Sequence, residues 1–525
     1  MKLSLQSLQA LADKGYIIPA FDVAAMRAAT RKAPRWIHFG AGNIFRAFPA
    51  VLQQKLLDEG KADTGLIVAE CYDEEIIQQG FAPFDNLTVA VSLKHDGSVD
   101  KRVVASIAEA LSYSGDYQRL AEIMTAPSLQ IVSMTITEKG YAVKDPDGES
   151  ITEPGTIIAK LCKLLYTRFL DGAHPVAMVS LDNCSHNGDL LKEGILSVAE
   201  SWRRRGSVSD AFVAYLCDPA LVSFTWSMID KITPRPAEEV LSMLLSDGLS
   251  GMEVTQTQKH TFVSAMVNAE ECEYLAIEDH FPNGRPPLEV VGVIFAPRET
   301  VDKIEKMKVC TCLNPLHTAL AIFGCLLGHT KISEEMKDET LVGMIRVIGY
   351  TEGMPVVVDP GVMSAEAFIG EVLSKRLPNP FVPDTPQRIA CDTSKKLPVR
   401  FGETLKAYVE RGKSDLSFLT MIPLVFAGYA RYLTGIGDDG KPFALSPDPN
   451  LDTLCKLVAG YALGKPFDTK RLRPLFSDPE YCGVNLYAHG LGDKAEAYFT
   501  EMNADVGAIR ETVVNSLTQP IRRNC

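Results

Sequence analysis

Long hydrophobic runs, paired cysteine motifs and clustered histidines are missing from this sequence. No apolar run approaches the length of a membrane span, so we expect no membrane-embedded segment. The 12 cysteines include no CxxC pair, and the nine histidines include no HxxxH pattern. Zinc sites in proteins usually carry such spacings, and we therefore expect no bound metal.

An excess of positive charge is missing as well, since the formal net charge is −13. Nucleic acids and anionic membranes attract basic proteins, so neither is expected as a partner. The N-terminal stretch MKLSLQSLQALADKGY is amphipathic and lacks the apolar centre of a signal peptide. Together with cysteines scattered through apolar contexts, this predicts a cytoplasmic protein with reduced thiols.

The pattern of apolar residues changes near residue 300. Before it, apolar runs such as RWIHFG, GLIVAE, LTVAVSL, LQIVSMTI and PVAMVSLDN alternate with helical patterns, which predicts an α/β domain with a mostly parallel sheet. After it, stretches such as HTALAIFGCLLGH carry apolar residues at helical spacing. The length suits two domains, which we place at residues 1–299 and 300–525.

A turn with two glycines follows the first predicted strand and opens the first predicted helix, in HFGAGNIFRAF. Gly40 permits a tight turn, and Gly42 lets a pyrophosphate approach the backbone at the start of the helix. Phe45 stands at the third glycine of the GxGxxG pattern, and an ordinary turn is the alternative interpretation. We expect a cofactor-binding segment that comprises Phe39, Gly40, Gly42, Asn43 and Ile44.

Four acidic residues lie at or just after the end of the next predicted strand, in GLIVAECYDEE. A carboxylate at this place accepts hydrogen bonds from the adenosine ribose of NAD and repels the 2′-phosphate of NADP. NAD is therefore the expected cofactor. Glu70 is the first choice for this role, with Asp73, Glu74 and Glu75 as alternatives, and a solvated acidic loop is the plainer interpretation.

Several stretches together resemble one family, the polyol-specific long-chain dehydrogenases, which include mannitol 2-dehydrogenase, fructuronate reductase (mannonate oxidoreductase) and tagaturonate reductase. The matching stretches are FGAGNIFRAF, TITEKGY, SLDNCSHNG, MIDKITP, EDHFPNGRP, MKVCTCLNPLH and RIACDTSKKLP. They occur in family order and cover most of the chain. The resemblance implies a Rossmann-like N-terminal domain and an all-helical C-terminal domain.

The resemblance also implies a metal-independent hydride transfer between a secondary alcohol carbon and the nicotinamide. It places the general acid and base at Lys308 and the amides that bind the alkoxide at Asn187 and Asn314. The family histidine falls on His317. An amine among apolar neighbours, as in KVCTCLNPLH, is suited to exchange a proton with the reacting oxygen.

Further contacts follow from the same resemblance. The substrate-binding residues of the family correspond to Asp230, Arg388 and Lys396. Glu138 and Glu305 match carboxylates associated with proton exchange near the lysine. From the residues alone, plainer interpretations stay open, in which these are surface ion pairs, solvated cations and surface acids.

The spacing between Lys308 and Asn314 departs from the family pattern by one extra residue. One residue rotates an α-helix by about 100°, so a continuous α-helix would present Lys308 differently. Two arrangements restore the geometry. Either Asn314 caps a new helix with Pro315 at its first position, or a kink or π-bulge absorbs the extra residue.

These features predict an NAD-dependent oxidoreductase that interconverts a linear sugar acid and its keto form, D-mannonate and D-fructuronate. A mannitol 2-dehydrogenase that acts on a neutral polyol is the first alternative. A dinucleotide-binding redox sensor without turnover is the second, and the unusual spacing beside Lys308 favours it. The expected partner is a small molecule, and a monomer or homodimer is the family expectation.

Overall fold

A computed structural model describes residues 1–518, which form two compact units. The first unit ends at Asp302 and the second begins at Lys303. The predicted second domain, 300–525, includes residues 519–525, which lie outside the described range.

The strands of the described chain all lie in the first unit. In chain order they are β1 (Trp36–Phe39), β2 (Leu66–Glu70), β3 (Thr88–Leu93), β4 (Val99–Val104), β5 (Ile107–Ser112), β6 (Ile131–Met134), β7 (Val176–Ser180), β8 (Val222–Thr225), β9 (Ser227–Asp230), β10 (Thr255–Gln256), β11 (Phe262–Val263), β12 (Met266–Glu270), β13 (Tyr274–Glu278) and β14 (Ile294–Ala296).

A six-stranded sheet with the order β5-β2-β1-β6-β7-β8 forms the centre of the first unit. Every pair of neighbours in it is parallel. Numbered among themselves along the chain, these strands have the order 3-2-1-4-5-6, which is that of a dinucleotide-binding Rossmann fold. The order reverses between β1 and β6, where ligands of such sheets bind. The predicted α/β class with a Rossmann-like sheet is confirmed.

The two faces of this sheet are both covered, which is why its strands read as continuous apolar runs. Side chains alternate along a strand, so Ile37 and Phe39 of β1 pack into one hydrophobic cluster and Trp36 packs into the other. In β2, Ile67 packs into the same cluster as Ile37, and Val68 packs into the same cluster as Trp36. The central strands are thereby fixed between two layers of helices.

Strand β3, from the predicted run LTVAVSL, lies outside the six-stranded sheet. It pairs antiparallel with β4 and parallel with β12 in a separate three-stranded sheet. The link between β3 and β4, residues 94–98, is long enough for a hairpin but far too short for a helical crossover. Two smaller groups complete the unit, with the orders β14-β13-β9 and β10-β11.

Helices of the first unit and its border are α1 (Leu8–Ala12), α2 (Val23–Lys32), α3 (Asn43–Ala47), α4 (Pro49–Asp58), α5 (Glu75–Gly80), α6 (Tyr117–Thr125), α7 (Ile157–Leu170), α8 (Asn187–Arg204), α9 (Asp210–Cys217), α10 (Glu238–Ser246) and α11 (Arg298–Met307). Those that follow are α12 (Asn314–Leu327), α13 (Ile332–Glu335), α14 (Glu339–Arg346), α15 (Ala365–Glu371), α16 (Pro386–Ile389), α17 (Thr393–Leu397), α18 (Glu403–Glu410), α19 (Met421–Tyr432), α20 (Leu451–Leu454), α21 (Arg473–Ser477), α22 (Pro479–Cys482), α23 (Gly492–Met502) and α24 (Ala508–Thr518).

The described residues 303–518 of the second unit form helices joined by loops and contain no strand, apart from one isolated bridge between Ile436 and Pro442. Short π-helical segments interrupt or extend its α-helices at Lys308–Cys312, Val347–Gly353, Val372–Arg376 and Pro398–Gly402. Segments of this kind are rare and are frequently found at functional sites. The predicted all-helical character is confirmed for the described part of the unit.

One helical stretch, Arg298–Leu327, is long and apolar enough to cross a membrane by length and composition alone. The sequence predicted no run of this length. However, 78% of its most apolar window is buried inside the protein. A helix that is apolar on all sides and packed within a globular unit is the usual form of a core helix.

A buried carboxyl group, that of Glu335 at the end of α13, has no hydrogen-bond partner in the described chain for either oxygen. Glu335 is 0% exposed and packs on Gly324 of α12. Burial raises the pKa of Glu335 to about 9, with Asp338 adding to the shift. The group is therefore protonated in the folded protein at neutral pH.

Replacing Glu335 with glutamine is expected to stabilise the protein more at high pH than at low pH. The unfolded chain releases this proton near pH 4.3 and the folded chain near pH 9, so rising pH between these values favours unfolding. Between pH 5.5 and 8.5 the gain in stability from Glu335→Gln should grow by about 4 kcal/mol. Thermal unfolding at both pH values measures it. Glu334→Gln, at the exposed neighbour paired with Lys337, is the matched control, and an equal gain at both pH values would refute the assignment.

Candidate active site

A cavity of about 680 Å³ lies at the carboxyl ends of β1, β2 and β6 in the first unit. Its walls include Gly40, Gly42, Glu70 and Asp73, with Thr135 beyond β6. This is the point at which the strand order reverses, and the volume falls within the range of about 300–1,000 Å³ usual for ligand pockets. The cavity is therefore the candidate cofactor site.

The glycine turn has two glycines with different surroundings. Gly40 has a φ of +107°, and a Cβ atom there would lie 2.3 Å from the carbonyl oxygen of Thr135. Gly42, at the N-cap of α3, has an ordinary φ of −76°, and a Cβ atom would meet nothing within 4 Å. Gly40 is thus required by the protein itself, whereas Gly42 leaves open space on the cavity wall.

Phe45, at the position of the missing third glycine, is fully buried and stacks on His38 of β1 at 4.4 Å between ring centres. The third glycine of the pattern normally allows close packing of helix and strand. Here a pair of rings fills that space instead. The imidazole of His38 is held by the hydroxyls of Ser133 and Thr135 at 2.7 and 3.0 Å, and burial lowers its pKa to about 3.

Glu70, the last residue of β2, lines the cavity and joins it to the glycine turn. Its Oε2 accepts the backbone N–H of Ala41 at 2.9 Å. Its Oε1 accepts the N–H groups of Cys71, Tyr72 and Asp73 at 3.0, 2.9 and 3.3 Å. A carboxylate oxygen has two lone pairs, so Oε2 keeps one for a ribose hydroxyl.

The other three acids of this loop differ in where they point. Asp73 lines the cavity and accepts the hydroxyl of Thr257 at 2.6 Å. Glu74 accepts the N–H of Ser114, and Glu75 accepts the amide of Gln79, and neither is a cavity residue. Of the four acids, Glu70 and Asp73 are therefore placed to meet a ribose.

Three residues of the predicted cofactor segment are not part of the cavity wall. Phe39 is 0% exposed and belongs to the hydrophobic core. The side-chain oxygen of Asn43 accepts a hydrogen bond from the guanidinium of Arg46 at 2.9 Å, and Ile44 packs against the hydrophobic core. Their side chains hold the helix in place, which leaves Gly40, Gly42 and Glu70 as the predicted residues that line the cavity.

Asp182, just after β7, braces the loop that follows β6, and the sequence reasoning missed it. Its Oδ2 accepts the N–H of Ile136 and the hydroxyl of Tyr141 at 2.8 and 2.6 Å, and Oδ1 accepts the N–H of Thr137 at 2.9 Å. Thr137 has a φ of +63°, a costly conformation for a β-branched residue. The available signal in the sequence was the place of Asp182 in SLDN, directly after the apolar run that forms β7.

Asn187, predicted to bind the alkoxide, is 0% exposed and its amide is occupied within the first unit. Its Nδ2 donates to the carbonyls of Asp182 and Ser227 at 2.9 and 3.0 Å, and its Oδ1 accepts the N–H of Ser227 at 3.0 Å. Both amide hydrogens are used in this arrangement. The contacts are those of a residue that ties the start of α8 to β9.

Lys308 begins the π-helical segment Lys308–Cys312 and is 3% exposed. The carbonyl of Lys308 accepts the N–H of Leu313, five residues on, at 3.0 Å. A π turn takes one more residue than an α turn, so it absorbs the extra residue between Lys308 and Asn314. Helix α12 then starts at Asn314 with Leu313 as its N-cap, so the predicted cap at Asn314 lies one residue too late.

His317, in the first turns of α12, faces Asp384 in the second unit. Its Nε2 lies 3.3 Å from Oδ2 of Asp384 without the geometry of a hydrogen bond. Burial lowers the pKa of His317, and Arg400 and Arg388 act in the same direction while Asp384 opposes them. The neutral imidazole is suited to bond a hydroxyl group. Arg388, mostly exposed, contacts the other oxygen of Asp384.

The remaining predicted residues occupy varied positions. Lys396, on α17, donates to the carbonyl of Ile389 at 3.0 Å, and burial lowers its pKa. Asp230 is buried at the end of β9, and Glu305 lies partly buried on α11. Glu138 is exposed in the loop braced by Asp182. Within residues 1–518, no three His, Cys, Asp or Glu residues form a group that could hold a metal ion.

Comparison with known proteins assigns both parts of this chain to one family. The model of the mannitol dehydrogenase Rossmann domain matches residues 34–290, and that of the mannitol dehydrogenase C-terminal domain matches residues 300–464. The chain belongs to the mannitol dehydrogenase family. The predicted resemblance is confirmed.

Relatives within the mannitol dehydrogenase family differ in how similar they are to this chain. The D-mannonate oxidoreductase of Thermotoga maritima is 48% identical, over 94% of each chain. The mannitol 2-dehydrogenase of Cereibacter sphaeroides is 27% identical, over 83% of this chain and 87% of its own. The structure of Pseudomonas fluorescens mannitol 2-dehydrogenase with NAD and D-mannitol matches with a TM-score of 0.69 and 25% identity, covering 99% of this chain and 100% of its own.

The cavity of this mannitol dehydrogenase family member fits NAD on its own geometry. Gly42 leaves room where a pyrophosphate must approach the backbone, and Glu70 and Asp73 present carboxylates where an adenosine ribose needs acceptors. These same carboxylates oppose the 2′-phosphate of NADP by charge repulsion. The site therefore favours NAD over NADP.

Proposed function

We propose that this protein is an NAD-dependent oxidoreductase that interconverts D-mannonate and D-fructuronate. The observation that supports this choice of substrate is the 48% identity to a D-mannonate oxidoreductase over nearly the whole of both chains. Relatives named for neutral polyols are less similar, at 26–28% identity. A sugar acid is therefore favoured over a neutral polyol. A cytoplasmic location and a monomer or homodimer stay predictions.

The roles of the residues follow from their chemistry and are part of the proposal. Bound NADH supplies the hydride for the carbonyl carbon. Lys308 donates a proton to the carbonyl oxygen as that carbon is reduced, and takes it back in the oxidising direction. Asn314 donates a hydrogen bond to the same oxygen without changing its own charge.

One further group is assigned to holding the substrate chain, and another to bracing the cofactor cavity. His317, which is neutral and lies 3.3 Å from Asp384, bonds a hydroxyl of the substrate. Asp182 keeps the loop from Ile136 to Tyr141 in its strained shape beside the cofactor cavity. Asp230, Glu138 and Glu305 are proposed to contact the substrate or exchange protons with solvent, as the family resemblance implies.

The proposal is tested by following the loss of NADH absorbance in steady-state assays with D-fructuronate, D-tagaturonate and D-fructose as substrates. We expect fast loss of absorbance with D-fructuronate and at least about tenfold lower kcat/KM with the other two, since each lost or misplaced polar contact costs about 1.4 kcal/mol or more. Turnover of D-fructose alone would instead identify a mannitol 2-dehydrogenase. Binding of NADH without turnover of any substrate would identify a redox sensor.

A further inference from the structure

Three cations of the second unit lie around His317, and we call them the cation cluster: Arg388, Lys396 and Arg400. His317 lies 3.3 Å from Asp384, which also contacts Arg388. Lys396 donates to the carbonyl of Ile389, the residue after Arg388, and Arg400 donates to Thr318, the residue after His317. The charges of Arg388 and Arg400 lower the pKa of both His317 and Lys396, in agreement with these contacts. Arg388 and Lys396 are residues named by the family resemblance. Arg400, on the π-helical segment Pro398–Gly402, is not among them.

Arg400 is bound to the first turn of α12. Its guanidinium donates to the hydroxyl of Thr318, and that hydroxyl donates to the carbonyl of Asn314 at 2.9 Å. The two residues assigned to the substrate in this turn, Asn314 and His317, are thus direct neighbours of its anchor. The guanidinium is sheltered enough that burial lowers the pKa of Arg400 to about 10.

Two of the three cations in the cation cluster are not paired with a carboxylate in the described residues. In the described chain Asp384 is paired with Arg388, while Lys396 donates to a backbone carbonyl and Arg400 to a hydroxyl. Neither Lys396 nor Arg400 has a carboxylate within 4 Å in residues 1–518. A sheltered cation without an anion is costly, and such an arrangement is stabilised when a ligand brings the missing charge.

We propose that the cation cluster binds the carboxylate of a sugar acid, with Arg400 as the residue that distinguishes an acid from a neutral polyol. This inference rests on the proposed function. A guanidinium presents parallel N–H groups that match the two oxygens of a carboxylate, and a methylol group offers no such charge. Lys396 adds a second charge, and Arg388 keeps Asp384 from competing for it.

The test compares D-fructuronate with D-fructose, which differ in the terminal group alone, in the wild type, Arg400→Met and Arg400→Lys. Arg400→Met should raise KM for D-fructuronate about 10- to 100-fold, because it removes a hydrogen bond between charged groups. The value of kcat should change less than about threefold. Arg400→Lys should recover part of the loss because it restores the charge. The affinity for NADH should not change.

A matched control exists on the adjacent helix. Lys395, next to Lys396, is half exposed and paired with Glu480 at 2.7 Å, so Lys395→Met should leave KM for D-fructuronate unchanged, whereas Lys396→Met should raise it. If Arg400 only supports α12 through Thr318, kcat should fall and KM should stay, equally for both substrates where both react. That result, or an unchanged KM in Arg400→Met, would overturn the inference. If the wild type does not reduce D-fructuronate, the proposed function itself fails.

Discussion

Replacing Lys308 with methionine is expected to lower kcat for D-fructuronate by about a thousandfold, within the range of 10²–10⁴ typical of a lost general acid. Methionine fills a similar volume and suits a position that is 3% exposed. Without the ammonium, the carbonyl oxygen must take its proton from water. Steady-state kinetics at saturating NADH and substrate measure the effect.

The control for Lys308→Met is Lys303→Met, on the exposed side of the helix that leads into the π turn. Loss of that lysine should leave kcat within about twofold, because exposed charges contribute little. The affinity for NADH, measured by fluorescence, should be the same in both variants and the wild type. A Lys308→Met enzyme with more than a tenth of the normal kcat would remove Lys308 from the mechanism.

Alanine at Gly40 and alanine at Gly42 are expected to damage NAD binding in different ways. At Gly40 the new Cβ atom would lie 2.3 Å from the carbonyl oxygen of Thr135, at a φ of +107° that alanine avoids. The turn must shift, so Gly40→Ala should lower both the Tm and the affinity for NADH, the latter by about 100-fold or more given strain of about 1–3 kcal/mol plus the steric clash.

Gly42→Ala meets no protein atom within 4 Å, so its Tm should stay within about 2 °C of the wild type, as for a surface change of less than 0.5 kcal/mol. The methyl group nevertheless projects where the pyrophosphate approaches. We expect about tenfold weaker binding of NADH, for one lost backbone hydrogen bond. Thermal unfolding and NADH titration of the pair give both readouts. Wild-type affinity in Gly42→Ala would place the dinucleotide elsewhere.

Much of the first unit could be predicted because its signals are local. The run WIHF is buried on both faces and becomes the central strand β1, and the acid at the end of β2 meets the cavity as expected. The run LTVAVSL has the same appearance, yet it forms a hairpin with β4. Apolar runs alone do not reveal which sheet a strand joins, whereas the length of the following link does.

The candidate site was less predictable because several contacts depend on the whole fold. Asp182 braces a strained loop through backbone groups, and such bonds leave no spacing pattern in the sequence. Arg400 is distinctive because its partner among the described residues is a hydroxyl and not a carboxylate, which only the folded unit shows. The π turn after Lys308 was one of two foreseen arrangements, and the extra residue alone could not choose between them.

The central claim is that the amine of residue 308 carries the proton of the reaction. It is tested most directly by the single-turnover oxidation of NADH with D-fructuronate in Lys308→Ala, followed by absorbance with and without added methylamine. We expect a rate about a thousandfold below the wild type that rises with the concentration of the amine. A rate close to that of the wild type without any added amine would contradict the claim.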